Sequence, residues 1–428
     1  MKVKYIYSAC LEIDCNGFKI LTDPWFTDGI YDGSWFQFPK IDPFRFISKP
    51  DLIYISHIHP DHYDHIFLKR IIQKFGKIPI LIPDLTPNYL ELKGKQDGLN
   101  LTTTSFFRNS KVEIYIVEND TGSIGDIDSS VLIKDLKSGH TILNLNDCIF
   151  NSKHVEKLKS IISQICEKLE IVALGYTGAG PYPQTYIDIK TEKDLLISEA
   201  NKKKTEIFDR YKKYLNYFDA NYNLPFAGEY ILGGKKTYLN DYRGVADAYE
   251  VTLFDEKAVV LKNGGIIDLD SNKVFEKRMS THDDADLKKR FAKISKKKMD
   301  YEKELNLDIE KINFPRLLKS AAIKASSKSE VNHNYIFIFS ITDQFNKICK
   351  RYLLEIVESK IREIKTDEKI IREEYSEIII DYRYLFGLLT TLYHWNNAEV
   401  GSQYFCKRVP LKNYNSKNQS YLNFFSIS

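Results

Sequence analysis

The stretch DLIYISHIHPDHYDH, residues 51–65, decides the fold. Its first part, Asp51–Ser56, is a short apolar run of the kind found in buried strands, and it ends directly at His57. His57, His59, Asp61 and His62 follow within six residues, at a strand's carboxyl end, where open α/β sheets place ligand sites. His57 and His59, two apart, can project from a short loop toward one point. Pro60 fixes a turn and can aim Asp61 and His62 at a neighbouring point. Imidazoles suit zinc or iron, and a carboxylate in the same cluster fits either. Four such donors are enough to seed a two-metal site, whose ions lie about 3.5–4 Å apart in known classes. A surface loop explains the pattern poorly, because four of the nine histidines fall between positions 57 and 65.

Around this stretch the first half reads as short strands punctuated by turns. Lys2–Ile6, Cys10–Ile13 and Lys19–Leu21 read as strands, with Cys15-Asn16-Gly17 as a hairpin turn. His65–Phe75 has helical spacing, Pro79–Ile82 reads as a strand, and Val112–Val117, Ser130–Ile133 and Thr141–Leu145 supply more. His154–Leu169 reads as a helix, Ile171–Leu174 as a strand, Asp194–Tyr217 as a charged helix, and Leu224–Leu232 as strand-like. Strands interleaved with helices in this way predict a layered α/β or α+β sandwich. Residues 275–310 form a dense charged stretch, read as a solvated helix or linker. Beyond it, Tyr335–Ile341 and Ile378–Tyr382 read as strands with a helix over Asp343–Glu358 between them. Three segments are therefore expected: a metal-binding catalytic domain over 1–270, a charged linker or helix over 271–310, and an accessory α/β domain over 311–428.

Bulk properties narrow the function less. At 428 residues with 43% hydrophobic residues the chain can bury more than one core, and a net charge of +4 spread over that surface gives no reason to expect a nucleic-acid or membrane partner. The six cysteines form no CxxC pair, so neither a disulfide framework nor a zinc ribbon is expected. Neither a signal peptide nor an apolar run near 18 residues is evident, so a cytoplasmic protein is expected, of unknown oligomeric state.

The HxHxDH pattern resembles the signature of the metallo-β-lactamase superfamily. Within it, the chain is similar to the metallo-β-lactamase portion of CMP-N-acetylneuraminate hydroxylase. The resemblance rests on CLEIDCNGFKILTDPWF (10–26), GSWFQFP (33–39), DLIYISHIHPDHYDHIFLKR (51–70), GHTILNLNDC (139–148), GYTGAGPYPQTY (175–186) and NLPFAGEY (223–230), in that order. It implies an αββα sandwich with metals at one sheet edge. It also implies that His57 and His59 bind a first metal, Asp61 and His62 a second, and that Asp147 bridges both. Two further ligands stay open. Asp128, directly before the strand SSVLI, competes with Asp126 and Asp120 where many relatives place a histidine, and Glu229 occupies the place of the family's closing histidine. Carboxylates in those places would make the site harder, shifting preference from zinc toward iron or manganese. The Rieske domain that the sialic-acid hydroxylase carries needs Cys-x-His pairs, and none occurs here, so oxygenase chemistry would need an external electron donor. The stretch from YHWNNAEVGSQ to KRVP (393–410), with Trp395, Asn396, Asn397 and Glu399, resembles the tail that accompanies lactamase-like domains in some relatives. It serves either to pack that domain or to hold a polar substrate or partner chain.

Three functions follow from different classes. Foremost is a metallohydrolase acting on a small polar or anionic substrate, with a metal-bound hydroxide that Asp61 orients or deprotonates. A di-iron oxygenase acting on a nucleotide-sugar-like substrate comes second, and a non-catalytic binding module third. Tyr176, Thr177, Gly178 and Tyr182, in a loop after the strand 171–174, are the expected substrate contacts.

Overall fold

A computed structural model describes residues 1–122, 126–329, 331 and 333–427. Two sheets face one another. The first has eight strands in the order Lys273–Lys277, Leu261–Asp268, Lys2–Tyr7, Cys10–Cys15, Phe18–Thr22, Leu52–Tyr54, Ile80–Ile82, Thr102–Thr103. The second has six, in the order Ala220–Phe226, Leu169–Gly175, Thr141–Asn144, Ser129–Asp135, Val112–Glu118, Phe106–Arg108.

Strand periodicity explains the layering, because successive side chains point to opposite faces. Leu52 and Tyr54 join Val3, Leu11 and Ile13 in the core between the sheets, against Ile114, Val131, Ile133 and Ile171 of the second sheet. Ile53 and Ile55 point the other way, onto Phe67, Leu68 and Ile71 of the helix His65–Phe75. On the far side, Leu143, Val172 and Leu174 pack on Val155 and Leu158 of the helix Ser152–Ile165 and on Tyr211 and Tyr214 of the helix Lys193–Leu215. Each fully buried Val, Leu or Ile contributes about 1.5–3 kcal/mol. The four layers are the expected αββα sandwich. The first hairpin closes as its sequence requires: Asn16 (φ 50°) and Gly17 (φ 82°) both take the left-handed conformation of a two-residue turn.

A further five-stranded sheet, Lys360–Ile364, Ile348–Glu355, Ile336–Thr342, Tyr375–Asp381, Phe405–Val409, builds the C-terminal α/β part. Here the sequence reading of a helix over 343–358 gives way to a strand, paired antiparallel to Ile336–Thr342. The turn at Asn346 (φ 63°) redirects the chain, and burial alternates as in a strand, with Tyr352 and Leu354 in one core and Leu353 in another. The expected strand over 224–232 is likewise divided. Ala220–Phe226 belongs to the second sheet, whereas Tyr230–Leu232 turns away to pair with Trp35–Gln37.

The charged segment is structured throughout. Lys273–Lys277 is an edge strand, Asp284–Ile294 a helix, and Ile294, Met299 and Tyr301 are fully buried. Met299 and Tyr301 enter the core of the C-terminal part together with Tyr186. The chain also crosses back. Gln403 donates to the carbonyls of Tyr31 (2.7 Å) and Asp32 (3.1 Å), and Tyr384 donates to Asp32 (2.6 Å). Among the described residues no helix is long and apolar enough to cross a membrane.

Candidate metal centre

The strand Leu52–Tyr54 delivers Ser56 and His57 to the edge of the first sheet, and the turn through Pro60 brings His62 beside them. Asp64 then caps the helix His65–Phe75 by accepting from Phe67 N (2.9 Å). It also accepts from Phe26 N (2.9 Å), Thr27 N (2.7 Å) and Thr27 Oγ1 (2.8 Å). The histidine loop is therefore clamped at both ends.

Within the loop each imidazole has one nitrogen turned inward and one held from outside. His57 Nε2 and His59 Nδ1 face one another at 2.9 Å, and Asp128 Oδ1 lies 3.8 Å from His57 Nε2. His62 Nε2 lies 3.5 Å from Asp147 Oδ2 and 3.7 Å from Asp61 Oδ2. Donor atoms of His57, His62 and Asp147 all lie within 4.8 Å of one another. The outward nitrogens have separate partners: His57 Nδ1 meets Ser56 Oγ at 2.9 Å, His62 Nδ1 meets Asp23 Oδ2 at 3.0 Å, and His59 Nε2 meets Asn396 Oδ1 at 3.0 Å. Asp23 is fixed in turn by the Ser56 amide and hydroxyl, both at 2.7 Å. Asp61 receives the Tyr31 hydroxyl at 2.6 Å on its other oxygen.

This is the donor chemistry that metal ions require. A ligating histidine hands its outer N–H to a carboxylate, carbonyl or similar acceptor, which leaves the inner lone pair free. The charges point the same way. Burial, with His62 and His59 beside it, holds His57 well below the ordinary histidine range. Burial would lower His62 too, but Asp147, Asp61 and Asp23 outweigh it and raise it well above that range. Burial and then Asp147 push Asp128 up to about 7. Burial works against the Asp147 carboxylate, yet His62 prevails and lowers it. Carboxylates and imidazoles crowded in this way are relieved by divalent cations. The residues offer a divalent ion three imidazoles and three carboxylates, and among the described residues His57, His62 and Asp147 form the group whose donor atoms lie close enough together to hold one.

Glu229, expected as a closing ligand, meets other side chains in the structure. Its two oxygens take the Tyr5 hydroxyl (2.8 Å) and His282 Nε2 (2.8 Å). The reason is the break after Phe226, which sends 230–232 to another sheet. The loop after the strand Leu169–Gly175 is also tied down. Tyr176 is buried beside Glu229, Asp247, Arg278 and Arg243; Thr177 Oγ1 accepts from Ala246 N (3.4 Å); a Cβ on Gly178 would meet Ile207 at 2.5 Å. Tyr182 donates to Glu199 and its carbonyl accepts from Lys203 (2.8 Å). Of the competitors of Asp128, Asp126 takes Thr121 N and Oγ1 (both 2.6 Å) and Asp120 accepts from Gly122 N (2.8 Å).

Sequence reasoning missed the roles of Asp23, Ser56, Tyr31, Asn396 and His282. Asp23 and Ser56 had a signal, since Asp23 directly follows the strand Phe18–Thr22 and Ser56 lies two residues beyond the strand Leu52–Tyr54, beside His57. Arg210, half-buried on the helix Lys193–Leu215, was also missed, and it is near enough to lower both Asp128 and Asp147.

With this geometry in hand, comparison with known proteins gives the class first. Residues 2–127 match the family model described as the beta-lactamase superfamily domain. More particularly, the chain is similar to cytidine monophosphate-N-acetylneuraminic acid hydroxylases. It is 32% identical to that of Asterias rubens over 35% of this chain and 23% of the relative, and 21% identical to that of Xenopus laevis over 96% of this chain and 70% of the relative. The chain thus spans under a quarter of the first relative's length. Among solved structures it is similar to CmlA, a diiron beta-hydroxylase from Streptomyces venezuelae, with 15% identity, a TM-score of 0.37, and coverage of 60% of this chain and 48% of that one.

Proposed function

We propose that the chain is a dinuclear iron enzyme that hydroxylates a small polar or anionic substrate, using dioxygen and an external electron donor. The observation that carries this reading is the donor set: three imidazoles and three carboxylates, with Asp128 where a zinc hydrolase of this superfamily would place histidine. Oxygen-rich sets favour iron or manganese over zinc. The similarity to enzymes named as hydroxylases supports the same direction. When bound, the iron pair supplies the redox chemistry by which one oxygen atom of O₂ joins a substrate carbon and the other leaves as water, with two electrons and two protons taken up.

The protein's own residues do the rest. Asp23, Ser56 and Asn396 fix the three ring orientations, and Tyr31 holds Asp61 by one oxygen while the other faces His62. Arg210 flanks Asp128 and Asp147; once their charge is committed to cations, its guanidinium is free to meet an anionic group of the substrate. Hydrolysis is the second reading. The observation favouring it is that Asp61, anchored by Tyr31, is poised to orient or deprotonate a water.

Metal content decides between them. Protein purified without added metal, analysed by mass spectrometry, should carry close to two irons per chain and consume oxygen when reduced. Near-stoichiometric zinc, with no oxygen uptake after iron loading, would sink the oxygenase reading and favour hydrolysis.

A further inference from the structure

A cleft lies away from the histidine cluster, between the segment 28–40 and the charged segment 290–303. Its volume, about 370 Å³, falls in the range of small-molecule sites. Phe36 and Ile294, both buried, form an apolar wall. Six cationic side chains and only two carboxylates line it.

Both carboxylates are already used. Asp28 is gripped by Arg290 Nη2 on both oxygens at 2.9 Å and by Lys40 at 3.3 Å, and Asp300 pairs with Lys303 at 2.8 Å. Lys293, Lys297 and Lys298 are left, with no carboxylate partner among the described residues. These three lysines are exposed on the rim of one concavity, and like charges there repel each other unless an anion shares the space. Burial lowers Lys40, outweighing the opposing pull of Asp28.

We propose that this cleft binds a phosphorylated small molecule, its phosphate oxygens among Lys293, Lys297 and Lys298 and its organic part against Phe36 and Ile294. Lysines act as adaptable point charges toward phosphate, and the Arg290–Asp28 pair gives them a rigid floor. The floor is also tight. A Cβ on Gly33 would come within 2.9 Å of Asp300 N and Met299 Cα, so the two segments are in direct backbone contact there. Gly29 and Gly33 line the cleft and bracket Tyr31, whose hydroxyl reaches Asp61, so the bound molecule would sit one loop away from the metal centre. The charged stretch thus becomes the wall of a ligand site.

Glycerol 3-phosphate, a weak metal ligand, is the probe, titrated calorimetrically into the full-length, metal-loaded protein at low salt. One site per chain is expected, weakening as salt rises. The triple variant Lys293→Gln, Lys297→Gln, Lys298→Gln should bind about tenfold more weakly or worse, with unchanged circular dichroism. His57→Ala should bind as the wild type does, because the metal centre is not the site. Undiminished binding in the triple variant, loss of binding in His57→Ala, or no binding at all would each overturn the proposal.

Discussion

A histidine offers two nitrogens, and the centre works only if the correct one of each pair faces inward. In His57, His59 and His62 that choice is made by Ser56, Asn396 and Asp23 respectively. The inner donors were legible in the sequence because they lie within six residues behind one buried strand. Their outer partners were not. Asp23 and Asn396 are 39 and 337 residues away from the histidines they hold, and no local pattern encodes such a pairing. His57→Ala and His59→Ala should each remove most bound metal while leaving the circular dichroism largely intact; retained metal in both variants would reject them as ligands. Asp23→Asn should act more subtly. It keeps the shape but turns the acceptor facing His62 Nδ1 into a mixed amide, so metal affinity should fall roughly 10- to 100-fold. An unchanged dissociation constant would show that Asp23 serves folding alone.

At the scale of elements, the strands and helices of the sandwich were legible where their period was clean. His65–Phe75 is found as read, while the strand Ile348–Glu355 was taken for a helix because its apolar residues, crowded at 352–354, fit either period. The helix Ser152–Ile165 carries a testable charge. His154 is 2% exposed, its Nε2 meets Ser130 Oγ at 2.9 Å, and burial lowers its pKa to about 4. The unfolded chain takes up that proton near pH 6.5. Between the two values the unfolded state binds more protons than the native one, so stability is full above about 6.5 and is lost as pH falls toward 4. The loss at pH 5 should be about 2 kcal/mol. Urea unfolding of wild type and His154→Gln at pH 7 and pH 5 isolates it: the wild type should lose more stability than the variant. Equal losses would mean that the metal-site residues alone set the acid sensitivity.

For the whole molecule, the question is whether the metal centre is complete without the C-terminal part. The sequence suggested separable units, because every motif of the sandwich precedes residue 235 and a charged segment follows. The contacts argue for dependence. Asn396 holds His59 at 3.0 Å, Gln403 and Tyr384 hold the backbone and side chain of the Tyr31–Asp32 turn, and Gln184 donates to Ser402 Oγ at 3.0 Å. That turn is strained, with Tyr31 at φ 54° and Asp32 at φ 60°, so it needs such support to keep Tyr31 on Asp61. Asn396→Ala in the intact chain should therefore weaken metal binding by roughly tenfold, with the fold unchanged. Limited proteolysis extends the test. The exposed lysines of 288–298 are the expected cutting sites, and the nicked protein should keep its metal while the two pieces remain associated. Stripping the C-terminal piece in mild urea should then release metal from an N-terminal piece that is still folded by circular dichroism. An isolated N-terminal piece that held metal as tightly as the intact protein would show that Asn396 and its neighbours only pack against the centre.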